Sequence, residues 1–472
     1  MTPPFSVHEF TEAISRCSNS SAPGPDHLSW HSLKALINNE RCLRHIIHLA
    51  NACIDKSFWP IHFKASKTIV IPKPQKAAYD TPKSFRPIVL LNTLGKLIEK
   101  VISNRFQFHS VRNGFLHPNQ LGGVQQRSTS DAGVFLMHLV RAGWIKGLQT
   151  SVLAFDIAQF FPSLNHEVMT EYIAKAGFDP RIQKFIHNYL NNWSTQYYWN
   201  NLSSLPFECS VGVGQGSALS PILSALYLSP FLKIFQKRIK NLKEKIPTNI
   251  LSFVDDGLLI SQEKSFNLSS AYLTCSYNII SNVFKAAGLV IEQSKSEVFH
   301  FTCSHKYNSS PLDLSSVGGP LLTPKPIWRY LGFFFDRKLS FHHHCRYYAT
   351  KSLSTIKSMK LLGSSTRSLS PLHKRLLYHT CVLPIALYRF QLWFFKNAPT
   401  KYHIHELGKL QRRAALWITG AFRTSPSWGV EGIAGLIPIH LHLRKLVGRS
   451  YLRYSGIPSN HAISSLLEYG HS

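Results

Sequence analysis

The chain has 472 residues, and its 53 Lys and Arg against 24 Asp and Glu give a formal net charge of +29 at pH 7. Hydrophobic residues make up 44% of the sequence, which excludes a disordered chain, because disordered chains are poor in apolar residues. A chain of this length is expected to contain more than one subdomain. With so few carboxylates to neutralise the basic side chains, the composition predicts a polyanionic partner, and nucleic acid is the first candidate.

Residues 1–60 are predicted to form helices, interrupted by a turn-rich stretch at residues 21–26. Apolar runs at residues 68–71 and 88–91 predict two short strands. Residues 94–106 carry the 3.6-residue period of an amphipathic helix. Residues 151–155 predict a further strand, which ends at Asp156.

The central part of the chain adds a helix and a hairpin. Ser220 is predicted to be the N-cap of a helix that has Pro221 at its first position and runs to about Ile239. Apolar runs at residues 250–253 and 258–260 predict a hairpin that turns at the Asp-Gly step of residues 256–257. Beyond about Tyr347 the pattern is mostly helical.

Cysteine and histidine usage argues against disulfides and zinc. The eight cysteines include no CxxC pair, so a reducing, intracellular compartment (nucleus or cytoplasm) is expected. The consecutive residues His342 to Cys345 point in different directions on any regular element, so we do not expect them to bind zinc. No apolar run is long enough to predict a membrane span.

Three carboxylates follow or interrupt apolar strands. Asp255 and Asp256 are adjacent acids inside the predicted hairpin, and Asp156 ends an earlier strand. Each alone is compatible with a simple turn-forming role. If two strands of one sheet bring all three together, their oxygen atoms suit Mg²⁺. Two such ions about 4 Å apart can assist an in-line phosphoryl displacement.

Several motifs, in order along the chain, resemble those of the reverse transcriptases of non-LTR retrotransposons. The palm-type motifs are residues 155–161 (FDIAQFF), 214–221 (GQGSALSP), 253–256 (FVDD), 288–297 and 330–332 (YLG). The upstream motifs are residues 22–26 (APGPD), 84–92 (SFRPIVLLN), 120–122 (QLG) and 127–132 (RSTSDA). The resemblance extends from about residue 20 to about residue 440. Phe160 departs from it, since that branch usually has a small residue there.

The resemblance implies an α+β fold of the right-hand polymerase type, with fingers, an antiparallel-sheet palm and a helical thumb. We expect residues 1–60 to form an N-terminal helical extension and residues 61–345 to form the reverse transcriptase fingers and palm. Residues 346–472 are expected to form a basic helical thumb and C-terminal region. The segment from residue 331 to the end carries 20 Lys and Arg against four acids, which agrees with that expectation.

The activity implied is RNA-directed DNA polymerisation by two-metal nucleotidyl transfer from a dNTP to a primer 3′-hydroxyl. By resemblance, Asp156, Asp255 and Asp256 are catalytic and bind two Mg²⁺ ions, with Mn²⁺ as a substitute. The backbone carbonyl of Ile157 would add a metal ligand. Lys295 would act as the catalytic acid that protonates pyrophosphate.

The resemblance also assigns binding residues, each of which has an ordinary structural alternative. Those implied in nucleotide binding are Lys73, Arg86, Phe161, Gln215 and Gly216. The ring of Phe161 would exclude a 2′-hydroxyl; without the resemblance it is as readily a core aromatic. Those implied in primer and template binding are Tyr330, Leu331, Gly332, Lys409, Arg412 and Arg413. For the basic residues, solvated surface charge is the alternative reading.

The implied partners are an RNA template, a DNA primer and dNTPs. After Asp336 the chain has no Asp and only three Glu, which excludes a C-terminal RNase H that needs clustered acids. An endonuclease would therefore be a separate domain or protein. Three alternatives stay open: a catalytically inactive nucleic-acid-binding remnant, an intron maturase-type reverse transcriptase, and an RNA-templated RNA polymerase.

Overall fold

The computed structural model describes residues 3–74, 78–200, 202–242, 246–304, 310–362, 369–395, 398, 400–459 and 461–464. The chain divides into two compact units. Unit 1 comprises residues 1–127, 154–259 and 275–296, and unit 2 comprises residues 128–153, 260–274 and 297–472. The predicted division at residues 60 and 345 stays a prediction. No helix among the described residues is long and apolar enough to cross a membrane.

The α-helices, in chain order, are α1 (Val7–Ser15), α2 (Trp30–Ile37), α3 (Glu40–Asp55), α4 (Ile61–Lys64), α5 (Thr93–Arg112), α6 (Thr129–Ile145), α7 (His166–Lys175), α8 (Pro180–Leu190), α9 (Ser220–Lys240), α10 (Phe266–Ala286), α11 (His342–Met359), α12 (Pro371–Leu377), α13 (Leu383–Ala386), α14 (Lys401–Thr419), α15 (Ser427–Ile433) and α16 (Ile439–Ser455). A π-helical turn at Tyr378–Val382 joins α12 to α13.

The strands are β1 (Ala65–Pro72), β2 (Phe85–Leu91), β3 (Gln149–Asp156), β4 (Trp193–Trp199), β5 (Leu202–Ser203), β6 (Phe207–Cys209), β7 (Thr248–Phe253), β8 (Asp256–Glu263), β9 (Glu297–Phe301), β10 (Leu312–Asp313), β11 (Leu321–Leu322), β12 (Ile327–Tyr330) and β13 (Phe333–Asp336). The fold is therefore α+β.

Two larger sheets occur among the described residues. In the first, the order is β2-β1-β4-β5, with β6 also paired to β4. Here β1 is antiparallel to β2, with Ile69 opposite Ile88, and parallel to β4, with Thr68 opposite Tyr197. In the second sheet the order is β7-β8-β3-β9. The end of β3 and the start of β8 therefore belong to neighbouring strands, which is the arrangement that the apolar runs predicted.

The helical prediction for the N-terminal segment is confirmed by α1, α2 and α3, and the loop between α1 and α2 contains the turn-rich stretch. This loop contributes to the fold at a distance along the chain. Asp26 accepts a hydrogen bond from the backbone N–H of Thr93 (3.0 Å), so it caps the start of α5. The backbone N–H of Asp26 in turn donates to the side chain of Asn92 (3.1 Å).

Helix α5 is longer and more buried than its pattern predicted. It covers the predicted residues 94–106, but its buried residues lie around most of its circumference and include the carboxyl-bearing Glu99. The amphipathic prediction is therefore wrong. Its polar residues do not all mark a solvent-facing side, because Glu99 and Ser103 are buried in unit 1.

The start of α9 also differs from the prediction. The helix begins at Ser220, its N-cap residue is Leu219, and Pro221 is the second helical residue. The hydroxyl of Ser220 donates to the backbone carbonyl of Gly214 (2.8 Å) instead of accepting from the helix. Ser220 therefore holds the preceding loop against the first turn of α9.

The hairpin of β7 and β8 turns two residues earlier than predicted. The two turn residues are Val254 and Asp255, while Asp256 and Gly257 already belong to β8. Gly257 is needed for packing, because a Cβ at this position would lie 2.1 Å from Cζ of Phe155. Val254 has φ +62°. A positive φ at the first turn residue is typical of a type II′ hairpin and favours glycine, so the β-branched Val254 is strained.

Residues 119–122 hold this strained turn from outside the hairpin. The N–H of Leu121 donates to the carbonyl of Ser252 (2.8 Å), and the N–H of Ser252 donates to the carbonyl of Asn119 (3.0 Å). Gly122 allows the closest approach, because a Cβ there would lie 2.4 Å from the backbone nitrogen of Val254. The QLG motif therefore buttresses the hairpin turn.

Unit 2 contains a buried ion pair. Asp131, at the start of α6, is fully buried and accepts from Arg453 of α16 (2.6 Å), and Nε2 of His461 lies 3.6 Å from the same carboxylate. Burial alone would raise the pKa of Asp131, but hydrogen bonds from His461 and Arg453 and their charges hold that pKa below its usual value. The RSTSDA motif thus anchors α16.

We expect Gly122→Ala to lower the free energy of unfolding by about 1–3 kcal/mol, because the added methyl group meets backbone that cannot move freely. Denaturant unfolding measures this effect, and hydrogen exchange in peptides that cover residues 250–257 should become faster. Gly448→Ala is the control: apart from the adjoining residues of its own helix, no heavy atom lies within 4 Å of its Cβ position, and it lies inside α16, where alanine is favoured. Unchanged unfolding and exchange in Gly122→Ala would contradict the buttressing role.

We expect Arg453→Met to lower the free energy of unfolding by about 3 kcal/mol at neutral pH, because a buried carboxylate then loses its cation. Arg449→Met, at an exposed site on the same helix, should change it by less than about 0.5 kcal/mol. The folded pKa of Asp131 is lowered, so its stabilisation is present above the unfolded pKa and is lost as pH falls through the folded pKa. The difference between wild type and Arg453→Met should therefore shrink in acid; a constant difference would count against this assignment.

Candidate functional site

The carboxylate of Asp156 is placed by a short segment that lies between two other parts of unit 1. The N–H of Ile157 donates to the backbone carbonyl of Asp255 (3.1 Å). On the other side, the N–H of Glu292 donates to the carbonyl of Asp156 (2.8 Å), and the N–H of Ala158 donates to the carbonyl of Val290 (2.8 Å). Asp156 is therefore attached by backbone hydrogen bonds both to the β7–β8 hairpin and to residues 290–292.

Asp255 and Asp256 are both half-buried, the first in the hairpin turn and the second at the start of β8. Burial raises the pKa of Asp255, and the charge of Asp156 raises it further. Burial, followed by the charges of Asp255 and Asp156, raises the pKa of Asp256 to about 7. Because the charge of Asp156 raises the pKa of both Asp255 and Asp256, the three predicted carboxylates form one electrostatic group.

Lys295 is the cation of this group. Its ammonium group forms a salt bridge with Oδ2 of Asp156, from a 3₁₀ turn at Gln293–Lys295. Burial lowers the pKa of Lys295, but the hydrogen bond to Asp156 and the charges of Asp156, Glu292 and Asp255 raise it overall. The predicted catalytic residues Asp156, Asp255, Asp256 and Lys295 are therefore brought together.

The donor atoms of this group fit a divalent cation. Carboxylate oxygens are the ligands that Mg²⁺ takes in proteins. Burial first, and then the like charges of Asp255 and Asp156, raise the pKa of Asp256, and a bound cation would offset both effects. In the arrangement present, no group of three or more His, Cys, Asp and Glu among the described residues could hold a metal ion. The metal-binding roles of Asp156, Ile157, Asp255 and Asp256 stay a prediction.

Gln215 and Gly216 lie in an exposed loop before α9, and this loop is attached to β2. The carbonyl of Gln215 accepts from the N–H of Val89 (3.1 Å). Gly216 has φ +138°, and a Cβ there would lie 2.3 Å from the carbonyl oxygen of Val89. Only glycine fits this conformation and this approach. The loop residues 214–218 are called the QG loop below.

Phe161 is brought to the segment that precedes the QG loop. Its carbonyl accepts from the N–H of Val213 (2.9 Å), and the carbonyl of Leu164 accepts from the N–H of Gly212 (2.9 Å). The ring of Phe161 is half-buried, whereas that of Phe160 is buried in the core, 5.7 Å from it between centroids. The unusual residue at position 160 is therefore a packing residue.

Arg86 and Lys73 lie where β2 and β1 meet. Arg86 is exposed on β2, opposite Ile71 of β1. Lys73 follows β1; its N–H donates to the carbonyl of Ser84 (2.9 Å), and its carbonyl accepts from the hydroxyl of Tyr79 (2.7 Å). The strand that carries Arg86 also holds the QG loop, so β2 links two of the predicted nucleotide-binding elements.

A cavity of about 150 Å³ separates these elements within unit 1. Its lining includes Pro87 and Val89 of β2, Pro162 beside Phe161, Tyr197 of β4 and Gln215 of the QG loop. The five predicted nucleotide-binding residues therefore lie on elements of unit 1 that share backbone contacts or this cavity, while direct contacts with a nucleotide stay a prediction.

Sequence reasoning missed two supports of the site. One is the contact of residues 119–122 with the hairpin turn; the glycine of the QLG motif was its only signal. The other is Glu99, whose buried carboxylate accepts from the N–H of Ala218 in the QG loop (3.0 Å). No local pattern could identify Glu99, because a glutamate in a helix is usually exposed.

Tyr330, Leu331 and Gly332 lie in unit 2, at the tight turn between β12 and β13. Leu331 and Gly332 have φ +47° and +82°, and the ring of Tyr330 stacks on Trp328 with centroids 4.9 Å apart. The turn packs on α11, since the hydroxyl of Tyr348 donates to the carbonyl of Gly332 (2.7 Å). Primer contact by this turn stays a prediction.

The predicted basic residues of α14 have different surroundings. Lys409 pairs with Glu406 (2.8 Å), and Arg413 is exposed. The guanidinium of Arg412 donates to the carbonyls of Ser425 and Arg423 (2.8 Å each) and to the hydroxyl of Ser427 (2.7 Å). Arg412 therefore holds the α14–α15 loop, and a phosphate contact by it stays a prediction that must use its remaining donors.

One residue of the histidine run in α11, His344, has a structural role. His344 is buried; one ring nitrogen lies 3.3 Å from the N–H of Phe334 and the other 3.0 Å from the carbonyl of Tyr388. Burial lowers its pKa to about 4. Cys345 is buried as well, and all eight cysteines are free.

Comparison with known proteins gives one family and several relatives. The family model described as "Reverse transcriptase (RNA-dependent DNA polymerase)" matches residues 71–335, more than half of the chain. A probable RNA-directed DNA polymerase from transposon BS of Drosophila melanogaster is 25% identical over 455 residues, which are 96% of this chain and 48% of that protein.

Two further Drosophila melanogaster relatives are a probable RNA-directed DNA polymerase from transposon X-element, 24% identical over 421 residues, and the RNA-directed DNA polymerase from mobile element jockey, 23% identical over 435 residues. Each alignment covers 88% of this chain and 44% of the relative. The chain thus spans about half the length of the curated relatives it matches. The family match includes the segments that carry Asp156, the QG loop, Asp255, Asp256 and Lys295, and the chain belongs to the reverse transcriptase (RNA-dependent DNA polymerase) family.

Proposed function

We propose that this chain is the RNA-directed DNA polymerase of a non-LTR retrotransposon, which extends a DNA primer on an RNA template with dNTPs. The observation that carries the proposal is the group of three carboxylates at the end of β3 and the start of β8, with Lys295 beside it. The family match and the names of the relatives support the same reaction.

In this proposal Asp156, Asp255 and Asp256 hold two divalent ions, Mg²⁺ in the first instance, with Mn²⁺ as a substitute and the carbonyl of Ile157 as a further ligand. Bound ions of this kind lower the pKa of a primer 3′-hydroxyl and stabilise the charge that develops on the triphosphate. The half-buried position of the carboxylates strengthens their interaction with a cation, because water screens them less.

Lys295 has two parts in the proposed reaction. Before the substrate binds, its ammonium group neutralises Asp156. If bound cations neutralised Asp156 instead, the protonated amine of Lys295 could donate to the departing pyrophosphate. Its 60% exposed side chain has room for such a change of partner.

The incoming nucleotide would lie against β2, the QG loop and Phe161. Arg86 and Lys73 would bind the triphosphate, and an exposed guanidinium suits phosphate because it donates two parallel hydrogen bonds. Gln215 and Gly216 would pack beside the base pair, and the ring of Phe161 would exclude the 2′-hydroxyl. Tyr330, Leu331, Gly332, Lys409, Arg412 and Arg413 would contact the primer and template.

The wider setting is proposed on the same basis. The net charge of +29 favours a polyanionic template and primer. The eight free cysteines favour a reducing compartment inside the cell, nucleus or cytoplasm. DNA cleavage would come from another domain or protein.

We expect Asp255→Asn to lower primer extension on an RNA template by about 100-fold or more, because it removes a charge needed in the transition state and each 1.4 kcal/mol is a factor of ten. Extension is measured with dNTPs and Mg²⁺ on a labelled primer. Asp55→Asn is the control, since Asp55 is exposed at the end of α3 and should leave the rate unchanged. Equal extension by wild type and Asp255→Asn would reject the assignment of Asp255, and duplex binding by a wild type that never extends would favour an inactive remnant.

We expect Phe161→Val to raise the relative kcat/KM for rNTP over dNTP by about tenfold or more, because a smaller side chain leaves room for the 2′-hydroxyl. Single-nucleotide incorporation with each substrate gives the ratio. Phe160→Leu is the control, since its buried ring packs in the core and should change stability more than the ratio. Efficient rNTP use by the wild type would instead favour an RNA-templated RNA polymerase.

A further inference from the structure

The QG loop is held on two sides by different kinds of contact. On one side, its backbone pairs with β2 through the bond from Val89 to Gln215. On the other side, it meets the carboxylate of Glu99, which projects from α5 and is buried. Oε2 of Glu99 accepts from the N–H of Ala218 (3.0 Å), and Oε1 accepts from the hydroxyl of Tyr189 (2.8 Å).

Tyr189 extends this contact to Ser217, the loop residue that precedes Ala218. Its hydroxyl lies 2.8 Å from Oγ of Ser217, and that Oγ also accepts from the N–H of Leu219 (3.0 Å). Because Leu219 donates to Ser217 and the carboxylate can only accept, the hydrogen bonds have one consistent direction, from Ser217 to Tyr189 to Glu99. The carboxylate therefore ends a chain that fixes both Ser217 and Ala218.

A buried carboxylate is costly unless its lone pairs are used. Burial raises the pKa of Glu99, while the hydrogen bonds from Tyr189 and Ala218 and the charge of Lys96 oppose that rise. The site also lies beside the N-terminus of α9, where the helix dipole favours negative charge. An apolar residue could fill this space in the core; an acceptor is required only because the loop presents donors.

We propose that Glu99 is a positioning residue for nucleotide binding: its carboxylate holds Ser217 and Ala218 so that Gln215 and Gly216 stand in one fixed conformation. This inference rests on the proposed function, since it assigns Gln215 and Gly216 to the nucleotide. Glu99 itself is buried and acts through the loop. Two residues upstream of Ala218, Gly216 already has a backbone conformation that only glycine adopts freely, so the loop has few other conformations compatible with its contacts.

The test uses variants that distinguish the loss of a hydrogen-bond acceptor at residue 99 from a change in the volume of its side chain. Glu99→Met keeps the length of the side chain and removes both acceptors, whereas Glu99→Gln keeps one acceptor for the N–H of Ala218. Tyr189→Phe removes only the link to Ser217. Ser110→Ala, another buried position on α5, is the control. Each protein is measured for its unfolding midpoint, its KM and kcat for dNTP in primer extension, and hydrogen exchange in peptides that cover residues 212–220.

We expect Glu99→Met to raise the KM for dNTP about tenfold or more, because a buried N–H is left without an acceptor, with a smaller change in kcat and faster exchange in the loop. Glu99→Gln should recover most of the KM, and Tyr189→Phe should raise it about threefold. Ser110→Ala should leave KM and exchange as in the wild type.

Two results would overturn the inference: a lower unfolding midpoint in Glu99→Met with KM and loop exchange unchanged, or a Glu99→Gln variant as impaired as Glu99→Met. If Glu99→Met does not fold, Glu99→Gln and Tyr189→Phe provide the test. Loop exchange and a KM for dNTP that are both unchanged in Tyr189→Phe would then overturn the inference. A wild type that extends no primer contradicts the proposed function, whereas an active wild type with unaffected variants contradicts only the role of Glu99.

Discussion

The concentration of negative charge where β3 ends and β8 begins is the constraint on which the rest of unit 1 depends. Burial, followed by the charges of Asp255 and Asp156, raises the pKa of Asp256 to about 7, so the negative charges of this group repel one another in a poorly solvated position. Lys295 supplies one compensating charge, through Asp156. The carboxylates cannot move apart to relieve the repulsion, because backbone hydrogen bonds attach Asp156 and Ile157 to the hairpin on one side and to residues 290–292 on the other.

The hairpin turn that carries Asp255 has a strained backbone, and its neighbours keep it in that conformation. Val254 occupies a turn position that favours glycine, at a cost of about 1–3 kcal/mol for a residue in such a conformation. Its neighbours remove the alternatives: Gly122 approaches the backbone of Val254, and Leu121 and Asn119 bond to Ser252. Strain of this kind persists only where the surroundings determine the conformation, and here it places two adjacent carboxylates at a strand end.

Local patterns were enough to predict the strands and the residues at their ends. Apolar runs of three to five residues identified β1, β2, β3 and the β7–β8 hairpin, and the two carboxylate positions followed from where those runs stop. The errors arose where a contact with a distant residue overrides a local preference. Gly257 suggested a turn, yet it lies in β8 because Phe155 needs the space. Ser220 suggested an N-cap, yet its hydroxyl is used by Gly214.

The same limit explains why the supports of the site were not predicted. Lys295 reaches Asp156 across 139 residues, and Glu99 reaches Ala218 across 119. Neither contact leaves a periodic or compositional trace, since an isolated Lys or Glu is most often on the surface. Lys295 was found only through resemblance to a family, while Glu99 appears only when the burial of α5 and the donors of the QG loop are seen together.

The basic residues, whose excess suggested a nucleic-acid partner, fall into two groups: those that are paired within the fold and those that are exposed. Arg105 donates to Glu9 and to the carbonyls of Pro3 and Pro4, and Arg453 is paired with buried Asp131. These guanidinium groups stabilise the fold and are poorly placed to neutralise phosphates. In the proposed function, a nucleic acid would be bound mainly by the exposed cations, such as Arg86 and Arg413, so it would contact these with fewer phosphates than the net charge alone suggests.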